Sequence, residues 1–316
     1  MSMPLRLGIS HCLLGALVRY DGQHKRDPFL ADTLGRYVEW IPVCPEVEAG
    51  FGVPREPMHL EGDPAAPRLV TINTRRDLTA PMLAWVQRRV RELEKENLHG
   101  FVFKSKSPSS GMERVSVYGE KRNVRGTAPG LFARAFMEHF PLLPVEDEGR
   151  LHDPDLRENF IERVFALARY REAMASRRSL RALIEFHAAH KLLIMAHSDP
   201  EMRAMGRLVA GAKQSSLGAV LADYETRLLR ALSRPADVPR HVNVLQHILG
   251  FFKKRLSADE KQEMLDVIER YRAELVPLIV PVTLLNHYAR KWQVPYLTGQ
   301  FYLNPHPLEL KLRNHA

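Results

Sequence analysis

Phe101-Val-Phe-Lys-Ser-Lys-Ser-Pro-Ser-Ser-Gly111 is an apolar run that passes directly into a polar, glycine-ended loop. Phe101, Val102 and Phe103 favour a pleated surface, and Ser107-Pro108 through Gly111 carries turn chemistry. Alone, this is a strand followed by a turn. Two other stretches have the same form: Leu5-Arg-Leu-Gly-Ile9 leads into Ser10-His-Cys-Leu-Leu-Gly15, and Trp40-Ile-Pro-Val43 leads into Cys44-Pro-Glu46. Open α/β sheets bind ligands outside the carboxyl ends of their strands, so three such loops predict one shared site.

Outward from these strands, Leu30 to Trp40 has helical spacing, with Leu30, Leu34, Tyr37 and Val38 on one face. Gly50, Gly52 and Pro54-Arg-Glu-Pro57 read as a long irregular connection, and Arg68-Leu-Val-Thr-Ile72 as a further strand. Thr79 is placed to cap a helix with Pro81 in its first turn, running to about Asn97 and burying Met82, Val86, Val90 and Leu93. Gly130 to Phe140 is a helix and Leu142 to Val145 a last strand. Strands alternating with helices predict an α/β N-terminal domain with a mainly parallel sheet.

From Asp153 onward the pattern is helical throughout: Asp155 to Ala175, Leu180 to His197, a helix opened by Ser198-Asp-Pro-Glu201, Leu217 to Leu232, and Val242 to Leu256. Ser257-Ala-Asp-Glu260 is a capping box for a helix to about Leu275. Residues 1–150 are therefore read as the α/β domain and 151–316 as an all-α helical domain.

The chain has 316 residues, a net charge of +9 and a pI near 9.6, with most of the positive excess after residue 150. An excess of that sign suits a polyanion such as nucleic acid. No run reaches the roughly 20 apolar residues of a membrane span, and Met-Ser-Met-Pro-Leu-Arg lacks the apolar core of a signal peptide. The expected location is the cytoplasm, where the two cysteines, Cys12 and Cys44, do not pair as a structural disulfide.

His187, His190 and His197 share one helical segment near Asp199, but no cysteine accompanies them and the spacing is not HExxH, which disfavours zinc. Arg240-His-Val-Asn243, Lys253-Lys-Arg255 and His287-Tyr-Ala-Arg-Lys-Trp292 combine cations with rings, which suits phosphate contact and base stacking as well as it suits a solvated helix face. The candidate RNA contacts are Arg240, Lys253, Lys254, Arg255, Arg290 and Lys291, with Lys104 and Lys106 beside the strand-end loop. No dinucleotide or phosphate-loop fingerprint occurs, so a nucleotide-cofactor enzyme is disfavoured.

Cys12-Leu-Leu-Gly with Val18-Arg-Tyr-Asp-Gly22, Cys44-Pro-Glu46 with Pro54-Arg55, and Lys104-Ser-Lys-Ser-Pro-Ser-Ser-Gly111 together resemble the TudS-like thiouracil desulfidase family, over roughly residues 5–146. Lys191-Leu-Leu-Ile-Met-Ala-His-Ser198, Asn243 to Lys254 and Tyr302-Leu-Asn-Pro-His-Pro307 resemble the helical domain fused to it in desulfidases that remove sulfur from 4-thiouridine in tRNA. The resemblance implies a 4Fe-4S cluster held by three cysteines, with its fourth iron open to the thiocarbonyl sulfur, a soft ligand. By motif match, the cluster ligands fall at Cys12, Cys44 and position 110, the general base at Glu46, a polar helper at Ser107 and a further polar site residue at His24. It also implies tRNA as the partner.

Position 110 departs from the family pattern, which reads Ser-Pro-Ser-Cys-Gly where this chain has Ser107-Pro-Ser-Ser-Gly111. Serine ligates iron only as an alkoxide, and its hydroxyl is far less acidic than a thiol. The expectation is an impaired tRNA desulfidase. The other readings are an RNA-binding module without catalysis and a desulfidase of free thiouracil.

Overall fold

A computed structural model of the chain describes residues 5–119 and 123–313. The chain divides into two compact units, Met1–Asp153 and Pro154–Ala316.

The first unit runs β1 (Arg6–Ser10), β2 (Glu39–Val43), α1 (Pro45–Glu48), β3 (Met58–Asp63), β4 (Ala66–Thr71), α2 (Thr79–Glu94), β5 (Gly100–Phe103), β6 (Val115–Tyr118), β7 (Val124–Ala128), α3 (Leu131–His139) and β8 (Val145–Asp147). Strands β2-β1-β5-β8, in that order, form a wholly parallel sheet. The chain leaves β1 for β2 on one side and later returns to β5 on the other, so the order reverses at β1. That reversal opens a crevice at the carboxyl edge, the usual place for a ligand in such sheets.

The sheet closes on one close approach. Gly8 lies opposite Phe101, and a Cβ there would stand 2.1 Å from that ring. Phe101 cannot retreat, since it is buried against Phe103, Phe132 and Phe136. Trp85 on α2 meets Phe132 on α3, completing one apolar layer.

A second sheet, β4-β3-β6-β7, was not expected. β3 follows directly on the stretch read as an irregular connection, in residues 58–63 to which the sequence assigned no element, and the strand expected at 68–72 is β4, antiparallel to β3 rather than in the parallel sheet. β3 was hidden because its alternation is broken: Leu60 is buried on one face and Glu61, 2% exposed, on the other, where His59, Arg68 and Arg75 hold it. The expected helix over 30–40 is a π turn followed by a 3-10 turn. The Thr79 hydroxyl does not cap α2 but accepts the Leu69 N–H at 2.8 Å, tying the helix to β4.

The second unit is helical: α4 (Pro154–Ser176), α5 (Leu180–His197), α6 (Asp199–Ala210), α7 (Leu217–Leu232), α8 (Val238–Gly250), α9 (Ala258–Arg272), α10 (Ile279–Lys291) and α11 (Pro295–Thr298). Side-chain caps at Ser179, Ser198, Ser216 and Asp237 start four of these helices, and the Ser257/Glu260 capping box starts α9. Among the described residues no helix is long and apolar enough to cross a membrane.

Its core encloses polar groups. Arg313 donates to Glu158 at 2.7 Å and to Glu162 at 2.5 Å, and Glu162 also meets His197 at 3.0 Å. Burial pushes His241 down to about 3 and His306 down to about 4, with Arg313 pushing both the same way, and burial also lowers His190.

Two outcomes follow from this packing. Gly8→Ala forces overpacking against Phe101 and should destabilise the first unit by about 2 kcal/mol or more, read as a fall in its thermal midpoint; an unchanged midpoint would contradict the close approach. Histidines with depressed folded-state values favour the native state above the unfolded value near 6.5. Between that pH and about 4 the unfolded chain takes up protons that the folded chain refuses, and stability falls by roughly 1 kcal/mol per pH unit for each histidine. Helix unfolding of the full chain, followed by circular dichroism, should therefore shift to lower temperature from pH 6.5 to 4.5, whereas a midpoint flat over that range would refute the neutral buried state.

Candidate active site

Three of the four parallel strands, β1, β2 and β5, end at a site residue. After β1 the chain turns in a short 3-10 segment carrying Cys12, and Gly15 closes that turn at φ 97°, a backbone region that suits glycine. After β2, Cys44 is the residue before α1, whose first turn holds Pro45 and Glu46. After β5, the Lys104 N–H donates to the Ser10 hydroxyl at 2.9 Å, tying that strand end to the end of β1.

The loop from Ser107 to Gly111 is shaped from inside and out. Ser107 Oγ accepts the N–H groups of Ser109 (3.3 Å) and Ser110 (3.1 Å). From outside, the start of α3 donates its unpaired N–H groups to loop carbonyls: Leu131 to Pro108, Phe132 and Ala133 to Ser109. Gly130 makes this contact possible, since a Cβ there would stand 2.5 Å from the Ser109 carbonyl.

These loops line one cavity of about 410 Å³ that includes Cys12, Cys44, Glu46, Arg55, Lys104, Lys106, Ser107 and Ser110. Glu46 is its polar hub. Its carboxylate accepts the Ser109 hydroxyl at 2.5 Å and the Cys44 thiol at 3.6 Å, and Arg55 stands 3.7 Å away. Arg55 is anchored in turn to the carbonyls of Val18 and Gly52, both at 3.0 Å. Burial pushes the Cys12 thiol up to about 11; Lys104 counteracts this and Glu46 reinforces it. Burial and then Glu46 push Cys44 up to about 12. Both sulfurs are therefore protonated at neutral pH as the site stands.

The cavity gathers Cys12, Cys44, Glu46, Ser107, Ser110, Lys104 and Lys106 from the sequence-derived set. Lys104 is ion-paired with Glu148. His24 stands outside it: exposed, its ring accepting the Arg26 N–H at 3.2 Å. Ser109 was missed, because nothing in Ser107-Pro-Ser-Ser-Gly111 separates it from its neighbours. Arg55 was part of a quoted motif, but its contact with Glu46 depends on the fold.

The candidate RNA contacts of the second unit divide into two places. Lys253 and Lys254 are exposed just past α8, and Arg255 donates to the Trp292 carbonyl at 2.5 Å, which brings them beside Arg290 and Lys291 at the end of α10. Arg240 lies at the start of α8, a helix length of about 20 Å from them, and is bonded to the carbonyls of His197 and Pro235. The three histidines of α5 do not converge: His187 meets Tyr224, His190 accepts from Arg169, and His197 meets Glu162.

A 4Fe-4S cluster carried on three protein thiolates needs three soft, deprotonated ligands. The cavity offers two thiols and, at the third position, the hydroxyl of Ser110, 3% exposed. This donor set does not fit such a cluster.

A family model described as 2-thiouracil desulfurase matches residues 7–148, and one described as a protein of unknown function, DUF1722, matches residues 191–307. The uncharacterized protein YbgA of Escherichia coli K12 is 33% identical over 153 residues, 48% of this chain and 90% of that protein. A solved structure described as the 4Fe-4S-dependent thiouracil desulfidase TudS shares 28% identity over 47% of this chain and 93% of that one, at a TM-score of 0.39. The first unit is thus a domain of the sulfur-removing thiouracil desulfurase type, and the chain belongs to the family of YbgA, with a TudS-like domain fused in front of a C-terminal domain that the DUF1722 model matches.

Proposed function

We propose that this chain is a cytoplasmic tRNA desulfidase of the 4-thiouridine type, held in an impaired form by Ser110. The observation that carries this reading is the convergence of the three strand-end loops on one cavity holding Cys12, Cys44, Glu46, Ser107 and Ser110. The overall conversion replaces a ring C=S by C=O: water supplies the oxygen, the carbon–sulfur bond breaks and sulfide leaves. Glu46, oriented by Ser109 and Arg55, is the group to take the proton from that water. The sulfur finds no adequate soft acceptor in two thiols and a hydroxyl, and there the impairment lies.

The tRNA assignment rests on the positive excess of the second unit and on its exposed Lys253, Lys254 and Arg290. A second reading, an RNA-binding protein without catalysis, is favoured by Ser110 itself. Free thiouracil as substrate is favoured by the family's description.

Ser110→Cys, reconstituted anaerobically with iron and sulfide, should convert 4-thiouridine in tRNA to uridine where the native chain does not. Conversion of free thiouracil alone would remove the tRNA assignment, and conversion of no base, nucleoside or tRNA would remove the enzyme reading. In the native chain, Lys253→Gln with Lys254→Gln should weaken tRNA binding and lower the slope of log K against log salt by about 2. An unchanged slope would place the phosphate contacts elsewhere.

A further inference from the structure

A second cavity, of about 580 Å³, adjoins the first, and both are lined by Met58, Lys106 and Pro108. It is built on the sheet that sequence reading missed, between β3 and β6, and both volumes fall in the range of about 300–1,000 Å³ typical of small-molecule sites. Its distinctive groups are two cations, Lys106 and Arg114, and two rings, His59 and Tyr118, whose centroids lie 5.2 Å apart at 55°. None of its described lining residues is acidic. Arg114 has 83% of its side chain exposed, and its ion pair with the adjacent Glu113 is a loose one at 3.8 Å.

A free thiolated base needs only the first cavity. A base within a polynucleotide brings its own phosphates and its neighbours, which must leave the first cavity across a rim. Here that rim is cationic at Lys106 and opens onto an aromatic surface with a second cation beyond it. Cations along a backbone path combined with rings for bases are how proteins hold single-stranded nucleic acid. Resting on the proposed tRNA reading, we infer that this second cavity is a subsite for the nucleotide adjoining the thiolated one. Its phosphate is held by Lys106 and Arg114, and its base packs against Tyr118. The subsite makes the first domain itself selective for a polynucleotide, independently of the helical domain.

Calorimetric titration of the full native chain with 4-thiouridine nucleoside, and with a trinucleotide carrying 4-thiouridine between two uridines, tests this. The trinucleotide should bind about tenfold more tightly than the nucleoside, the return on roughly one stacked base. Arg114→Ala and Tyr118→Leu should each remove most of that gain while leaving nucleoside binding unchanged, with circular dichroism confirming both folds. Arg114 is exposed, so its replacement leaves the core intact. Equal binding of the two ligands, or a trinucleotide affinity indifferent to Arg114→Ala, overturns the subsite and leaves the thiouridine reading standing. Competition by an acidic peptide as effective as the trinucleotide assigns the cavity to peptides instead. Failure of either ligand to bind at millimolar concentration removes the thiouridine reading and the subsite together.

Discussion

The hydrogen bond from the Ser109 hydroxyl to Glu46, at 2.5 Å, joins the loop after β5 to the loop after β2. A parallel sheet sends all its strands out at one edge, but it does not by itself make the loops meet. Here the Ser109–Glu46 bond and the Lys104 N–H to Ser10 link close them around a common space. Behind them, the glycine at position 130 lets α3 dock its first turn onto the loop carbonyls. Each of these depends on small or short-armed residues at fixed places, as does the packing of the Phe101 ring over Gly8 on the neighbouring strand.

Much of this was legible from local chemistry. The three strand-end loops announce themselves as apolar runs broken by Ser, Pro and Gly, and the helices of the second unit by regular spacing and serine caps, with boundaries close to those expected except at α8, which spans Val238–Gly250 rather than Val242 to Leu256. The second sheet was not legible. β3 contains His59, Glu61 and Gly62, and the burial of Glu61 depends on His59, Arg68 and Arg75, the last a contact fourteen residues away in sequence. β6 is four residues long, too short for its alternation to stand out. The contacts that orient Glu46 come from positions 55 and 109, and only folding brings them together.

The two units are stabilised differently. The first relies on phenylalanines packed edge-on and tilted against one another beneath a sheet, whereas the second encloses the Arg313–Glu158–Glu162–His197 network. Breaking such a buried network by removing one member leaves an uncompensated charge and costs about 3–5 kcal/mol. The second unit's cations at Lys253, Lys254 and Arg290 lie outside this network and are free to meet a polyanion without disturbing it.

On the proposed reading, desulfidation by this architecture turns on one atom, the donor at position 110. A thiol there would complete a set of three with Cys12 and Cys44 in the same cavity. The most direct measurement is therefore iron and acid-labile sulfide content, with the visible absorption spectrum, for the native chain and Ser110→Cys after identical anaerobic reconstitution. The account predicts a broad visible band and about four irons per chain in Ser110→Cys, with little of either in the native chain. A full and stable cluster in the native chain, or none in Ser110→Cys, would contradict it.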